Sequence, residues 1–255
     1  MLIDSHAHLD DKRFDKDRDK IIKNLKDNDV SIVINPGADL ASSVKAVALA
    51  EEYENIYAAV GIHPHDAKTM DEDTIEVLKS LLKKDKVIAV GEIGLDYHYD
   101  FSPRDIQKKW FREQIKLAKE FNLPIIVHDR EAHKDVYDIL KEEQDGTLRG
   151  VLHCFSGSVE MAKEYIKMGF YISFAGPVTF KNAKTPKEVV KAIDINRILI
   201  ETDSPYLTPH PHRGKRNEPL YVRYVAAMIA ELKGMTIEEV ARITAENTKR
   251  LFNIN

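Results

Sequence analysis

Cysteine is almost missing from this chain: Cys154 is the only one among 255 residues. No intrachain disulfide can form, so the fold must stand on its buried core, and a reducing compartment, the cytoplasm, is expected. Long apolar runs are missing too. No stretch approaches the roughly 20 residues that span a bilayer, so no membrane association is expected. The amino terminus, Met-Leu-Ile-Asp-Ser-His, lacks the basic region and apolar run of a signal peptide. Nor is there an excess of basic charge: 38 Lys and Arg against 42 Asp and Glu give a formal net charge of −4. That excludes retention on nucleic acid by a general positive field and leaves room for a local basic rim around a cleft. No Gly/Ser linker, charge block or low-complexity tract divides the chain, so residues 1–255 read as a single domain.

Short apolar runs rich in Val and Ile alternate with longer amphipathic stretches. The expected strands are 2–6, 30–35, 56–62, 87–93, 124–128, 150–153, 170–174 and 197–201. Such continuous apolar runs suit strands buried on both faces. Between them, Ile75, Leu78 and Leu82, and again Val136, Ile139 and Leu140, recur at helical spacing. Ser102-Pro103 and Thr185-Pro186 predict capped helix starts with proline at the first helical position, and Thr236 with Glu239 predicts a capping box. Repeated strand–helix alternation requires parallel strands joined by crossovers. The expected fold is therefore a single-domain (β/α)8 TIM barrel, with an open doubly wound sheet as the alternative.

The ten histidines follow this pattern. His6 and His8, His63 and His65, His128, and His153 end four of the expected strands, while His98, His133, His210 and His212 lie in the segments that follow strands. In a barrel these ends converge on the face where active sites sit. His6-Ala7-His8 places two imidazoles on the same side of one strand, both able to reach one metal. Glu92 ends the apolar run Val87–Gly91, where an unpaired carboxylate is expensive to bury; a salt-bridged structural role is its alternative. With two oxygens it is the candidate shared by two cations. His128 and His153 each deliver one imidazole from a separate strand, or else serve as hydrogen-bonded core residues. Asp203 can ligate and also accept a proton from water, with Glu201 on the same side as its rival. The mixed nitrogen and oxygen donors suit two divalent metal ions, whether Mg, Mn or Zn.

His210 to Arg216 is the most cation-dense loop of that face, and Arg213, Lys215 and Arg216 are candidates for phosphate contacts, as is Arg130. Tyr97, Tyr99 and Phe101 are candidates for stacking on bases. Trp110 and Phe111 read as helix core, and Cys154, next to His153 on a strand, as a small core residue facing the opposite way.

Five motifs carry a resemblance that runs in order along most of the chain: Leu2–Asp10, Gly91–Tyr97, Pro124–Arg130, His153–Gly157 and Glu201–Pro205, followed by the loop Arg213–Pro219. Together they resemble the TatD family of metal-dependent deoxyribonucleases, within the wider amidohydrolase superfamily. The resemblance implies metal ligation by His6, His8, Glu92, His128, His153 and Asp203. It further implies a substrate role for His63, and DNA as substrate, cut by a 3′-to-5′ exonuclease acting on single strands. Many two-metal amidohydrolases bridge their metals with a modified lysine on strand four; here Glu92 holds that position, which tilts the reading toward phosphodiesters. The alternatives are a small-molecule amidohydrolase on the same metals and a non-catalytic protein that binds metal or nucleic acid.

Overall fold

The computed structural model describes residues 1–254. Eight parallel strands form one sheet in sequential order: β1 (Leu2–Asp4), β2 (Val30–Pro36), β3 (Ile56–Val60), β4 (Val87–Asp96), β5 (Ile125–Arg130), β6 (Gly150–Leu152), β7 (Tyr171–Phe174) and β8 (Ile198–Ile200). Helices α1 (Arg18–Asp27), α2 (Leu40–Glu52), α3 (Glu72–Leu81), α4 (Arg104–Glu120), α5 (His133–Glu143), α6 (Val159–Lys167), α7 (Lys184–Ala192) and α8 (Val222–Lys233) follow the strands in turn, and α9 (Ile237–Phe252) ends the fold. The expected (β/α)8 barrel is what the chain forms. Among the described residues no helix is long and apolar enough to cross a membrane.

The two ends of the sheet meet just past β1 and β8. Ser5 N–H donates to Ile200 O at 3.1 Å, Asp203 N–H to His6 O at 2.9 Å and His8 N–H to Ser204 O at 2.8 Å. Buried Asp4 fastens the same seam: its carboxylate accepts from the Thr202 hydroxyl at 2.5 Å and the Thr202 N–H at 2.9 Å. Thr202→Val keeps the volume and removes the hydroxyl donor, leaving a buried carboxylate oxygen without its partner. The expected loss is about 1–3 kcal/mol, read as a lower denaturation midpoint, and an unchanged midpoint would refute the role of this seam.

Alternation along the strands divides the core in two. Ile34, Ala59, Ala89, Ile126, Val151 and Leu199, from six different strands, pack with Leu251 and Phe252 of α9. Their neighbours Val33, Val60, Val90, Val127, Leu152 and Ile198 belong instead to the larger cluster shared with the helices. The first set fills the barrel, as side chains of one parity must. Counting onward by two from Ala59, Ile126, Val151 and Leu199 reaches His63, His128, His153 and Asp203, so the site residues continue the inner layers upward. Glu92 breaks the count from Ala89. The pairing of β4 with β5 shifts between Val90 and Ile93, and this irregularity turns Glu92 inward as well.

Two helix starts differ from expectation. Pro103 occupies the cap position of α4 with no side-chain cap. The Ser102 hydroxyl instead donates to His65 O at 2.8 Å and accepts from Lys68 N–H at 3.0 Å, bracing the turn after β3. Helix α7 begins at Lys184 behind an Ala183 cap, which puts Thr185 and Pro186 inside its first turn. Proline is tolerated there because first-turn N–H groups have no intrahelical acceptor. Thr236 and Glu239 form the expected capping box, and Trp110 and Phe111 are buried in the core.

Candidate metal centre

Glu92 is buried at the carboxyl end of the barrel, and its two oxygens face different groups of imidazoles. Its Oε1 lies 2.8 Å from His128 Nδ1, 2.9 Å from His153 Nε2 and 3.5 Å from His63 Nε2. Its Oε2 lies 3.3 Å from His6 Nε2 and 3.6 Å from His8 Nε2. Asp203 closes the second group, with Oδ1 3.5 Å from His8 Nε2 and 3.7 Å from His6 Nε2. Donor atoms of His6, His8 and Asp203, of His63, Glu92 and His128, and of His6, His153 and Glu201 each come close enough to share an ion.

The donor chemistry fits divalent cations. Among the described residues no Lys or Arg pairs with Glu92 or Asp203; the groups facing them are imidazoles. The Nε2 atoms of His6 and His8 face each other at 3.2 Å, where two neutral rings can share at most one proton, and His6 Nδ1 is buried without a partner. Burial lowers the proton affinity of His6 and His63 against the pull of Glu92, whereas at His8, His128 and His153 the facing carboxylates outweigh burial and raise it, so a cation would take the place of protons held there. Burial also opposes the charge on Glu92, but the imidazoles crowded around it, His153 foremost, and the His128 hydrogen bond override it and hold the carboxyl well below its usual range.

Behind these donors lie three supporting groups. Asp96, two positions of the same parity beyond Glu92, is buried and accepts from His128 Nε2 and His65 Nε2, both at 3.0 Å. Its other oxygen accepts the N–H groups of His98 and Tyr99 at 3.0 and 2.9 Å. Glu201 sits behind His153: Oε1 is 3.3 Å from His153 Nδ1 and accepts Cys154 N–H at 2.7 Å, while Oε2 accepts the Ser173 hydroxyl at 2.7 Å. Gly94 has φ +145°, and a Cβ there would fall 2.0 Å from His128 O, so only glycine lets β4 come this close to the His128 backbone. Asp96 carried no separate weight in the sequence; its shared parity with Glu92 was the available signal. Asp96→Asn keeps the shape, but whichever way the amide is turned its NH2 group faces two donors, either the two imidazoles or the two backbone N–H groups. It should weaken metal binding about 10- to 100-fold, measured by calorimetric titration with Mn or Zn, and an unchanged affinity would refute its role in orienting His128.

The centre lines a cavity of about 1040 Å³. His8, His63, His128, His153 and Asp203 line it with Glu92, and Arg130, Tyr99 and Phe101 stand at its edge. Tyr99 and Phe101 stack at 5.2 Å, and the Arg130 guanidinium lies 4.9 Å from the Tyr99 ring. Tyr97 turns away, its hydroxyl donating to Asp135 at 2.6 Å. The strand-eight loop cations are not among the lining residues: Arg216 pairs with Asp17 at 2.6 Å, Arg213 lies 3.8 Å over Phe180, and the Lys215 carbonyl accepts from Thr208. His98 and His133 pair with Glu131 and Asp129, and His212 with Tyr224. Cys154 is not the core residue expected. Strand β6 ends at Leu152, so alternation no longer applies, and Cys154, with φ +44°, is half-buried in the cavity wall. Burial and the Glu201 charge push its thiol up, away from the nucleophilic thiolate.

Comparison with known proteins agrees with this architecture. The family model described as TatD related DNase matches residues 3–253. An uncharacterized metal-dependent hydrolase of Bacillus subtilis strain 168, YabD, is 57% identical over 100% of both chains. Another from Escherichia coli K12, YcfH, is 40% identical over 100% of this chain and 97% of its own. The crystal structure of YJJV, a TatD homologue from Escherichia coli K12, superposes with a TM-score of 0.94 at 32% identity, covering 100% of this chain and 98% of that one. The inward-facing donors and the barrel that carries them therefore have a family context: the chain belongs to the TatD family and is a metal-dependent hydrolase.

Proposed function

We propose that this protein hydrolyses phosphodiester bonds of single-stranded DNA, removing nucleotides from the 3′ end with the help of two divalent cations, whether Mg, Mn or Zn. The observation that carries the reading is the Glu92 carboxylate, whose two oxygens face separate donor groups beneath a cavity edged by Arg130, Tyr99 and Phe101. His6, His8 and Asp203 would hold one cation, His128 and His153 the other, and Glu92 both. When bound, such a pair supplies a more acidic water and positive charge for the departing oxygen. Asp203, with 15% of its side chain exposed, is the proton acceptor. Burial opposes its charge, yet the His8 hydrogen bond and the neighbouring imidazoles lower its proton affinity, so Asp203 is ionised at neutral pH, the form that can accept a proton. His63, buried with its Nδ1 accepting from His65 N–H, orients a phosphate oxygen through its other nitrogen. Arg130 holds a flanking phosphate, and Tyr99 and Phe101 offer faces to a base. Arg213 and Lys215 remain more distant phosphate contacts for a longer strand, whereas the Asp17 pairing of Arg216 opposes that role for it. The family description as a DNase supports DNA as the polymer.

The test is cleavage of a labelled single-stranded DNA by metal-stripped protein with Mg, Mn or Zn restored. A Glu92→Ala, Asp203→Asn double variant runs alongside to expose contaminating nuclease. Metal-dependent shortening from the 3′ end, absent from the variant, is expected. Failure to cut under every metal, with hydrolysis of a simple amide or lactone instead, would replace this reading with a small-molecule one.

A further inference from the structure

The mouth of the barrel carries a second aromatic platform. Tyr99, Phe101, Tyr206 and Leu207 are among the few large apolar side chains left exposed, at 47%, 55%, 48% and 37%, and all four line the same cavity. Exposed rings in one concavity offer stacking surface that the fold itself does not use. Their placement around the ring is regular. Tyr206 follows β8 and is braced by Arg13, which follows β1; Tyr99 and Phe101 follow β4, and Arg130 ends β5. In a closed ring of eight sequential strands, the β8–β1 junction lies opposite the β4–β5 junction. The cavity walls between them carry Asp39 and Asp66 on one side and Ser156 and Pro177 on the other, with no Phe, Tyr or Trp.

Each platform stands beside its own half of the donor set. The Tyr206 ring meets His8 edge-on at 6.2 Å, next to the group of His6, His8 and Asp203. Tyr99 and Phe101 meet His65 edge-on at 5.3 and 4.9 Å, and His65 in turn packs 4.3 Å from His63, in the group of His63, Glu92 and His128. Arg13 backs one face of Tyr206. The Arg13 guanidinium lies 4.1 Å from its centroid and is itself fixed by Asp11 at 2.9 and 2.8 Å. A guanidinium neutralised by a carboxylate is a poor phosphate ligand, so its part here is to brace the ring and leave the remaining face open.

We infer that Tyr206, braced by Arg13 and Asp11, is a second nucleobase platform opposite Tyr99 and Phe101, so that the site grips one base on each side of the bond it cuts. The inference rests on the phosphodiesterase reading and deepens it. The substrate class becomes an oligonucleotide with a base on both sides of the scissile phosphate, rather than a mononucleotide ester.

The experiment uses the full-length, metal-loaded protein and three substrates: a deoxyadenosine dinucleotide and the two analogues in which one or the other adenine is replaced by hydrogen. Wild-type kcat/KM should fall about tenfold for each analogue, carried mainly by KM, as loss of one base–aromatic stack implies. Tyr206→Ala should abolish the penalty for one analogue only, and Phe101→Ala the penalty for the other. Tyr206→Phe, which keeps the ring, should retain both. Should Tyr206→Ala leave both penalties intact, or erase the same one as Phe101→Ala, the second platform is wrong while the nuclease reading stands. Wild-type protein that cleaves none of the three overturns both. Because the three substrates also probe wild-type protein directly, equal rates on all of them overturn the platform even if the Tyr206→Ala chain fails to fold.

Discussion

Glu92→Gln protein should be folded and nearly inert. Glutamine fills the same volume, but one of its terminal atoms becomes an amide nitrogen with no lone pair to give. If the two oxygens of Glu92 serve two cations, as their opposite contacts with His128 and His6 imply, the variant loses the shared anchor of both. It also removes the negative charge that compensates for several buried imidazoles, so the remaining rings face a cation with one carboxylate fewer. Turnover should drop on the order of 10³-fold or more, and dialysed protein should retain less metal than wild type. Metal content by elemental analysis and kcat on the same preparation give the two readouts. Full metal content with near-normal turnover would show that Glu92 is a structural carboxylate paired with histidines, its alternative in the sequence. A loss of turnover with full metal content would confine its part to charge rather than ligation.

Much of the fold was legible because parallel strands buried on both faces leave continuous Val and Ile runs that need no tertiary knowledge to find. The helix starts at Ser102 and Thr185 were less legible. A serine or threonine before a proline signals a cap, but the Ser102 hydroxyl is captured by the turn after β3, from residues 37 and 34 positions away. The donor set was legible for a related reason. His128 continues the parity of the inner barrel layers within β5, while His63, His153 and Asp203 fall at even spacing from those layers just past the ends of β3, β6 and β8 and line the same cavity. Glu92 does not obey that period, and the pairing of β4 with β5 shifts register beside it. Its identification rested on the cost of burying a carboxylate after an apolar run. Charge in the strand-eight loop reads differently once the fold is known. Density of charge in sequence drew attention to Arg216, yet Asp17, 199 residues away, satisfies it. Tyr206 passed unnoticed because one aromatic after a proline says nothing until Arg13 and His8 are seen beside it.

Asp203→Asn separates proton transfer from ligation, and Glu201→Gln beside it separates the two carboxylates that sequence could not. Both residues lie just past the end of β8. Asp203 faces the cavity near His6 and His8, whereas Glu201 is buried behind His153 with both oxygens already engaged. Asparagine retains a carbonyl oxygen toward His8 but cannot take a proton from an attacking water. If Asp203 is the acceptor, turnover falls about 10²- to 10⁴-fold while KM changes little, since the loss is confined to the transition state. Glu201→Gln keeps Asp203 intact and disturbs only the support of His153, so its effect should be about 10- to 100-fold and should be expressed in metal affinity. Single-turnover kinetics at saturating metal distinguish them: excess metal restores much of the Glu201→Gln rate and none of the Asp203→Asn rate. Restoration of Asp203→Asn by excess metal would make Asp203 a ligand only and move the proton to another group in the cavity, of which His63 is the nearest candidate on the opposite donor group.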